Sequence, residues 1–197
     1  MNYLAHAYLS FRKPQVLVGN MISDHVKGKS RYDYPPVIQV GITLHRHIDE
    51  FTDFHGSTRE AKEIFRPHYR LYSGALVDVI YDHFLATDPQ EFTEESLLEF
   101  SLSTYRDLND NAKWFPERFA VIYPYMQSQN WLFHYRTREG TSKSLHGVVR
   151  RARYLTESQT AFNLFEENYQ LLSSLYRQFW QDVKLFAQKE LENLSGT

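Results

Sequence analysis

The sequence predicts an all-α protein: a single-domain helical bundle over residues 1–197. Apolar residues recur at helical spacing along most of the chain, and strand-like alternation is scarce. Only 8 Gly and 7 Pro occur, and several stand where helices should begin or end. The hydrophobic fraction of 42% and aromatic fraction of 16% supply apolar surface for one sizeable core.

The elements follow in order. MNYLAHAYLS opens with a short helix. Pro14 suits the first turn of a second helix running to about Val26. Residues 27–34, KGKSRYDY, read as a polar loop. Pro35–Pro36 restarts a helix through GITLHRHIDEFTDFH, which Gly56 is expected to end. Ser57 or Thr58 caps a short helix that stops before Pro67. YSGALVDVIYDHFLA, residues 72–86, is a strongly apolar helix closed by Asp88–Pro89. Thr93, followed by Glu95 and Ser96, forms an N-cap pattern. Further helices are expected around residues 117–134, 142–155 and 158–193. No internal repeat, low-complexity stretch or Gly/Ser linker divides the chain.

Composition narrows the function. A formal net charge of −2 provides no global field for gathering nucleic acid, and none is expected as a partner. With no cysteine, disulfides and thiolate metal sites are excluded. The N-terminal stretch lacks a basic region and is interrupted by His6, so it does not read as a secretory signal. No run approaches the roughly eighteen apolar residues of a membrane helix. A soluble, cytoplasmic protein with no membrane partner is the expectation, and the sequence sets no oligomeric state. No GxxxxGKS/T or GxGxxG loop, GxSxG elbow or HExxH pair is present.

The chemistry concentrates in four segments. In VDVIYDHFL, Asp78 and Asp82 are i and i+4 and share one helix face. Leu76, Val77, Val79, Ile80, Phe84 and Leu85 surround them, as in a buried helix. Two buried like-charged carboxylates are costly without a cation, a proton or dedicated donors. HRHIDEFTDFH repeats the spacing with His45 and Asp49, and Asp53 extends the face by a turn. His47 and Glu50 point elsewhere. Asp24 lies four residues after Asn20, and His6 sits among apolar residues of the first helix. Together these offer imidazole and carboxylate ligands, a set suited to Mn²⁺, Fe²⁺ or Mg²⁺, with Zn²⁺ kept open. The bland alternatives are a solvated helix face at 45–55, a packed His6, and buried acids satisfied by Arg46, Arg70 or Arg136.

At these residues the sequence resembles a known family. MNYLAHAYLS, GNMISDHVKG, GITLHRHIDEFTD and DVIYDHFL, in that order, are similar to motifs of the acyl carrier protein phosphodiesterases, and NWLFHYR (130–136) matches a weaker family segment. The resemblance implies an all-helical, distorted relative of HD-type metal phosphohydrolases. The implied reaction hydrolyses the phosphodiester joining 4′-phosphopantetheine to a serine of holo-acyl carrier protein, with Mn²⁺ preferred. The motif positions it carries over are His6, Asn20, Asp24, His45, Arg46, Asp49, Asp53, Asp78, Asp82 and His83.

On this reading Asp24, His45, Asp78 and Asp82 hold the metal, with His6 and Asp49 as further ligands or supports. His83 or Asp53 orients water or protonates the leaving serine oxygen, and Arg46 or Arg70 binds the non-bridging oxygens. An acidic carrier protein calls for a basic dock, offered by Lys27, Lys29 and Arg31 or by Arg150, Arg151 and Arg153. Two other readings stay open. One keeps the metal but acts on a nucleotide or other small phosphoester. The other is a non-catalytic helical binding protein whose buried acids pair with arginines.

Overall fold

A computed structural model describes residues 1–152, 155 and 157–196. Eleven α-helices and no strand occur among the described residues: α1 (Tyr3–Tyr8), α2 (Pro14–Ile22), α3 (Pro36–Phe54), α4 (Gly56–Tyr69), α5 (Ser73–Thr87), α6 (Glu94–Asp110), α7 (Glu117–Ser128), α8 (Trp131–His134), α9 (Arg138–Arg151), α10 (Gln159–Glu167) and α11 (Tyr169–Ser195). The all-α expectation holds. No helix among them is long and apolar enough to cross a membrane.

The helix starts follow local chemistry. Pro14 and Pro36 occupy first-turn positions, where a missing N–H costs nothing. Thr93 and Ser96 form a reciprocal capping box, with Thr93 Oγ1 accepting from Ser96 N at 3.2 Å and Ser96 Oγ from Thr93 N at 2.9 Å. Several boundaries depart from expectation. Gly56 does not end α3; His55 turns the chain in an extended conformation, and Gly56 already opens α4. The His55 ring accepts from Ser57 N and so supplies the cap expected of Ser57 or Thr58. α4 runs through Pro67 into its last turn and stops where Arg70 adopts φ 45°. Asn130, at φ 42°, splits the expected 117–134 helix into α7 and α8. Asn168 separates α10 from α11, its Nδ2 donating to Leu164 O at 2.9 Å. The polar loop at 27–34 contains a 3₁₀ turn, Gly28–Asp33.

α5 is the central helix. Eleven of its fifteen residues are buried, and it is packed by α1, α4, α9 and α11. The 27-residue α11 lies along α3 and α4. It is tied to the loop after α5 by Glu91, which accepts from Trp180 Nε1 at 2.8 Å and Lys184 Nζ at 2.6 Å.

α2 and α3 pack backbone against backbone. A methyl group on Gly19 would meet Ile38 O at 2.1 Å, and one on Gly41 would meet Val16 O at 2.2 Å. These obstacles are backbone atoms, which cannot turn aside. The pair of glycines therefore sets the helix separation. It also places Asn20, next to Gly19, against His45, one turn beyond Gly41. We expect Gly41→Ala to lower stability by about 3 kcal/mol in urea unfolding. A loss below about 0.5 kcal/mol would contradict so close a crossing.

Candidate metal centre

Asn20 holds two histidines at this crossing. Its Nδ2 donates to His6 O at 2.9 Å and to Ser10 Oγ at 3.1 Å, while Ser10 Oγ donates to His6 O at 2.7 Å. That closed network fixes the amide orientation, so the Asn20 Oδ1 facing His6 Nδ1 at 2.8 Å is an acceptor. His6 Nδ1 therefore carries a proton. The backbone carbonyl of Asn20 accepts from His45 Nδ1 at 2.7 Å. The two imidazoles stack with centroids 3.9 Å apart and planes 17° from parallel. With both Nδ1 atoms committed, both Nε2 atoms are turned to the same place.

Carboxylates meet them there. Asp49, i+4 from His45, sets Oδ1 3.1 Å from His6 Nε2 and Oδ2 3.1 Å from His45 Nε2. Asp24 Oδ1 also lies 3.1 Å from His45 Nε2. His6, His45 and Asp49 each offer one ligand atom, all within 4.8 Å of one another. Burial, then the charge on His45, pushes His6 down to about 4. Burial acts the same way on His45, but its hydrogen bonds to Asp24 and Asp49 prevail and raise it to about 9. Asp49 is held far below the ordinary carboxylate range: burial opposes this, and the Met1 ammonium together with the hydrogen bond from His45 outweighs it. A neutral His6 thus points an Nε2 lone pair at an Asp49 oxygen. Two acceptors at that distance repel unless a proton or cation lies between them. Two imidazole nitrogens with carboxylate oxygens and no thiolate fit a hard or borderline divalent cation such as Mn²⁺, Mg²⁺ or Fe²⁺. The cluster opens outward at Asp24, whose side chain is 68% exposed, against 3% and 7% for His6 and His45.

The two acids of α5 have other partners. The amino group of Met1 lies between Asp78 Oδ1 at 3.0 Å and Asp49 Oδ1 at 3.2 Å. Burial opposes that charge, but Asp78 and Asp49 raise the amino group to about 11. Asp78 therefore borders the cluster through Met1. Asp82 is fully buried, with Oδ2 accepting from Leu4 N at 2.7 Å and Oδ1 from Ala5 N at 3.2 Å. Burial raises it to about 7, against the pull of those two amides. Its carboxylate thus seats the start of α1, and with it His6. The two acids are met by the Met1 ammonium and by backbone amides, and not by the arginines of the binding-protein reading. Arg46 Nη2 donates to Val26 O at 2.9 Å, Arg136 pairs with Glu94, and Arg70 is exposed at a turn.

Four positions predicted to act on substrate do not join the cluster. Asp53 is paired with Lys62 Nζ at 2.6 Å, Arg46 is committed to Val26 O, and Arg70 stands exposed at its turn. His83 is buried on another face of α5, about 100° from its neighbour Asp82. There its Nδ1 donates to Tyr135 O at 2.8 Å and its Nε2 accepts from Tyr169 OH at 3.1 Å. Burial pushes it down to about 4, consistent with a neutral ring held by structure. Sequence reasoning missed the Met1 amino group and the part played by Asn20. Isolated glycines inside two helical patterns were the available signal for the crossing.

An all-α fold carrying an imidazole–carboxylate cluster defines the class, and comparison with known proteins defines the family. The model of the acyl carrier protein phosphodiesterase family matches residues 1–183. The chain is 31% identical over 189 residues to a Yersinia pestis protein named acyl carrier protein phosphodiesterase, covering 95% of this chain and 98% of the relative. A Klebsiella pneumoniae protein of the same name is 32% identical over 193 residues, covering 97% and 100%. One from Escherichia coli is 30% identical over 181 residues, covering 91% and 94%. No solved structure matches the chain. The chain belongs to the acyl carrier protein phosphodiesterase family.

The histidine geometry makes a prediction independent of any metal. In long-range ¹H–¹⁵N spectra of the metal-free protein at pH 7, His6 should be a neutral ring with the proton on Nδ1. Asn20→Ala should convert it to a tautomer mixture, since the fixing acceptor is gone. A native His6 protonated on Nε2 would rule this arrangement out.

Proposed function

We propose that the protein is a metal-dependent phosphodiesterase that releases 4′-phosphopantetheine from a serine of holo-acyl carrier protein. The observation that carries the reading is the convergence of both Nε2 atoms with the Asp49 carboxylate, open to solvent at Asp24. Family membership supplies the substrate class. A distant relation to the HD-type phosphohydrolases is part of the same reading.

His6 Nε2, His45 Nε2 and Asp49 would hold a divalent cation, Mn²⁺ in the first instance, with Asp24 completing the open side. When bound, the cation contributes charge neutralisation at the phosphoryl oxygens and acidification of water. The protein's own groups do the rest. Asn20 keeps both Nδ1 atoms protonated, so the lone pairs needed for binding stay turned inward. His45, raised to about 9, carries a proton below that pH and must release it for Nε2 to bind. Asp78 holds the Met1 ammonium against Asp49, which keeps Asp49 ionised beside two imidazoles. Asp82 anchors the first turn of α1, so His6 meets the cluster at a fixed angle. In the overall reaction water attacks phosphorus, the bond from phosphorus to the serine oxygen breaks, and that oxygen takes up a proton. The products are apo-acyl carrier protein and 4′-phosphopantetheine.

The test is the intact mass of holo-acyl carrier protein after incubation with the protein and Mn²⁺, or with chelator. We expect loss of the prosthetic group only with metal. His45→Ala and Asp49→Asn should each slow that loss by more than the roughly 10–100-fold typical of an outer-shell change. Cleavage that survives chelator, or full activity in either variant, would refute the assignment. Metal binding without cleavage would favour a small phosphoester as substrate.

A further inference from the structure

The open side of the cluster leads onto a surface that the chemistry above does not use. Asp24, the exposed member, is followed by His25, whose ring lies 5.7 Å from that of Phe119 on α7. His25 Nε2 is buried without a hydrogen-bond partner. Burial, then the guanidinium groups of Arg118 and Arg151, holds this imidazole below its ordinary value, against the pull of Asp24. Val26 O is pinned to α3 by Arg46. The chain then enters the Gly28–Asp33 turn, which begins at a glycine with φ 54° and is tied by Ser30 Oγ donating to Lys27 O at 2.6 Å. This fixed turn presents Lys27 and Lys29 to solvent, with Arg31 stacked 4.7 Å from the centroid of the exposed Tyr32 ring.

A second stretch lies beside it. Tyr34, just after the turn, meets Trp114 at 6.4 Å, and Lys113 sits over the same Trp114 ring at 5.4 Å. Arg118 precedes the Phe119 that covers His25. Along α7, Arg118, Val121 and Tyr125 share one exposed stripe at helical spacing. Two aromatic contacts thus join residues 25–34 to residues 112–119 into one face at the mouth of the cluster. Asp33 and Glu117 are its acidic members, outnumbered by Lys27, Lys29, Arg31, Lys113 and Arg118. Among the described residues none of those five cations has a carboxylate partner. Elsewhere Lys62, Arg66, Arg136, Arg138, Lys143 and Lys184 are paired, while other cations such as Arg12, Arg59 and Arg106 are likewise without a carboxylate partner, so it is the clustering of the five at the mouth that distinguishes this face.

We infer that this face, built from the Lys27–Arg31 turn and the Lys113–Arg118 segment, is the docking surface for an acidic protein partner whose phosphodiester must reach the cluster past Asp24. The inference rests on the proposed function and adds where the carrier sits. This face takes in the first of the two basic stretches read from the sequence. Arg151 contributes its field from the end of α9, and Arg153 lies outside the described residues. Cations with no internal partner are free to meet the partner's carboxylates, and the exposed Tyr32, Val121 and Tyr125 supply apolar contact between them. A charged rim of this kind steers association and is screened by salt.

The experiment measures binding of fluorescently labelled apo-acyl carrier protein by anisotropy at low and high salt, and tests cleavage of the holo form in parallel. The variants are Lys27→Glu/Lys29→Glu/Arg118→Glu and, as a charge-matched control on exposed positions of α4 and α11, Arg59→Glu/Arg66→Glu/Lys189→Glu. Thermal midpoints verify that both fold. We expect the triple variant to bind at least about tenfold more weakly at low salt and to lose most of the salt dependence, with the control within about twofold of the unaltered protein. A triple variant that binds normally while the unaltered protein cleaves the carrier overturns this docking face and leaves the proposed reaction standing. Equal weakening in both variants also overturns it, since only net charge would then matter. If the unaltered protein neither binds nor cleaves the carrier, the functional reading itself falls.

Discussion

Two glycines let α2 and α3 touch backbone to backbone, and the arrangement of the candidate site depends on that closeness. A side chain at either position would push the helices apart. The Asn20 carbonyl, now 2.7 Å from His45 Nδ1, would then lose its donor. Asn20 does the remaining work with its side chain, binding His6 Nδ1 on one side and the His6 carbonyl and Ser10 hydroxyl on the other. One residue thus sets the tautomer of two stacked imidazoles through two different parts of its structure. Orienting a ligand through its far nitrogen is a general requirement of histidine metal sites, and here it is met largely by backbone packing.

The electrostatics follow from where these groups are buried. Asp24, Asp49, Asp78 and Asp82 gather around the two histidines and the start of α1, which is unfavourable unless positive charge or amide donors are close. The chain supplies both. His45 and the Met1 ammonium serve Asp49, that same ammonium serves Asp78, and the free amides of α1 serve Asp82. The last is an interaction of helix starts in general, where the first N–H groups have no partner within the helix. His6 remains the unbalanced member, neutral and facing an acceptor. That imbalance is what a cation would resolve.

Much of this was legible in the sequence, and the misses have common causes. Helix existence followed from periodicity and from Pro14, Pro36 and Thr93, whose effects are local. Asp78 and Asp82 stood out because charge inside an all-apolar helix conflicts with its surroundings. Their partners did not stand out, since Met1, Leu4 and Ala5 reach them across more than seventy residues of chain, and a backbone amide or amino group leaves no residue-type signature. His83 shared a motif with Asp82, but neighbours on a helix diverge by about 100°, so adjacency in sequence does not by itself bring both to one site. Arg46 looked like an anion-binding group and instead secures Val26, which only the path of the chain reveals. The break at Asn130 was hidden because a left-handed asparagine is chemically unremarkable in sequence.

The claim that His6, His45 and Asp49 form a single binding point is tested most directly by locating manganese in crystals grown with Mn²⁺, using anomalous scattering. One strong peak is expected, within bonding distance of both Nε2 atoms and an Asp49 oxygen. A peak bound by Asp78 and Asp82 without the imidazoles, or manganese held only at surface carboxylates, would contradict it.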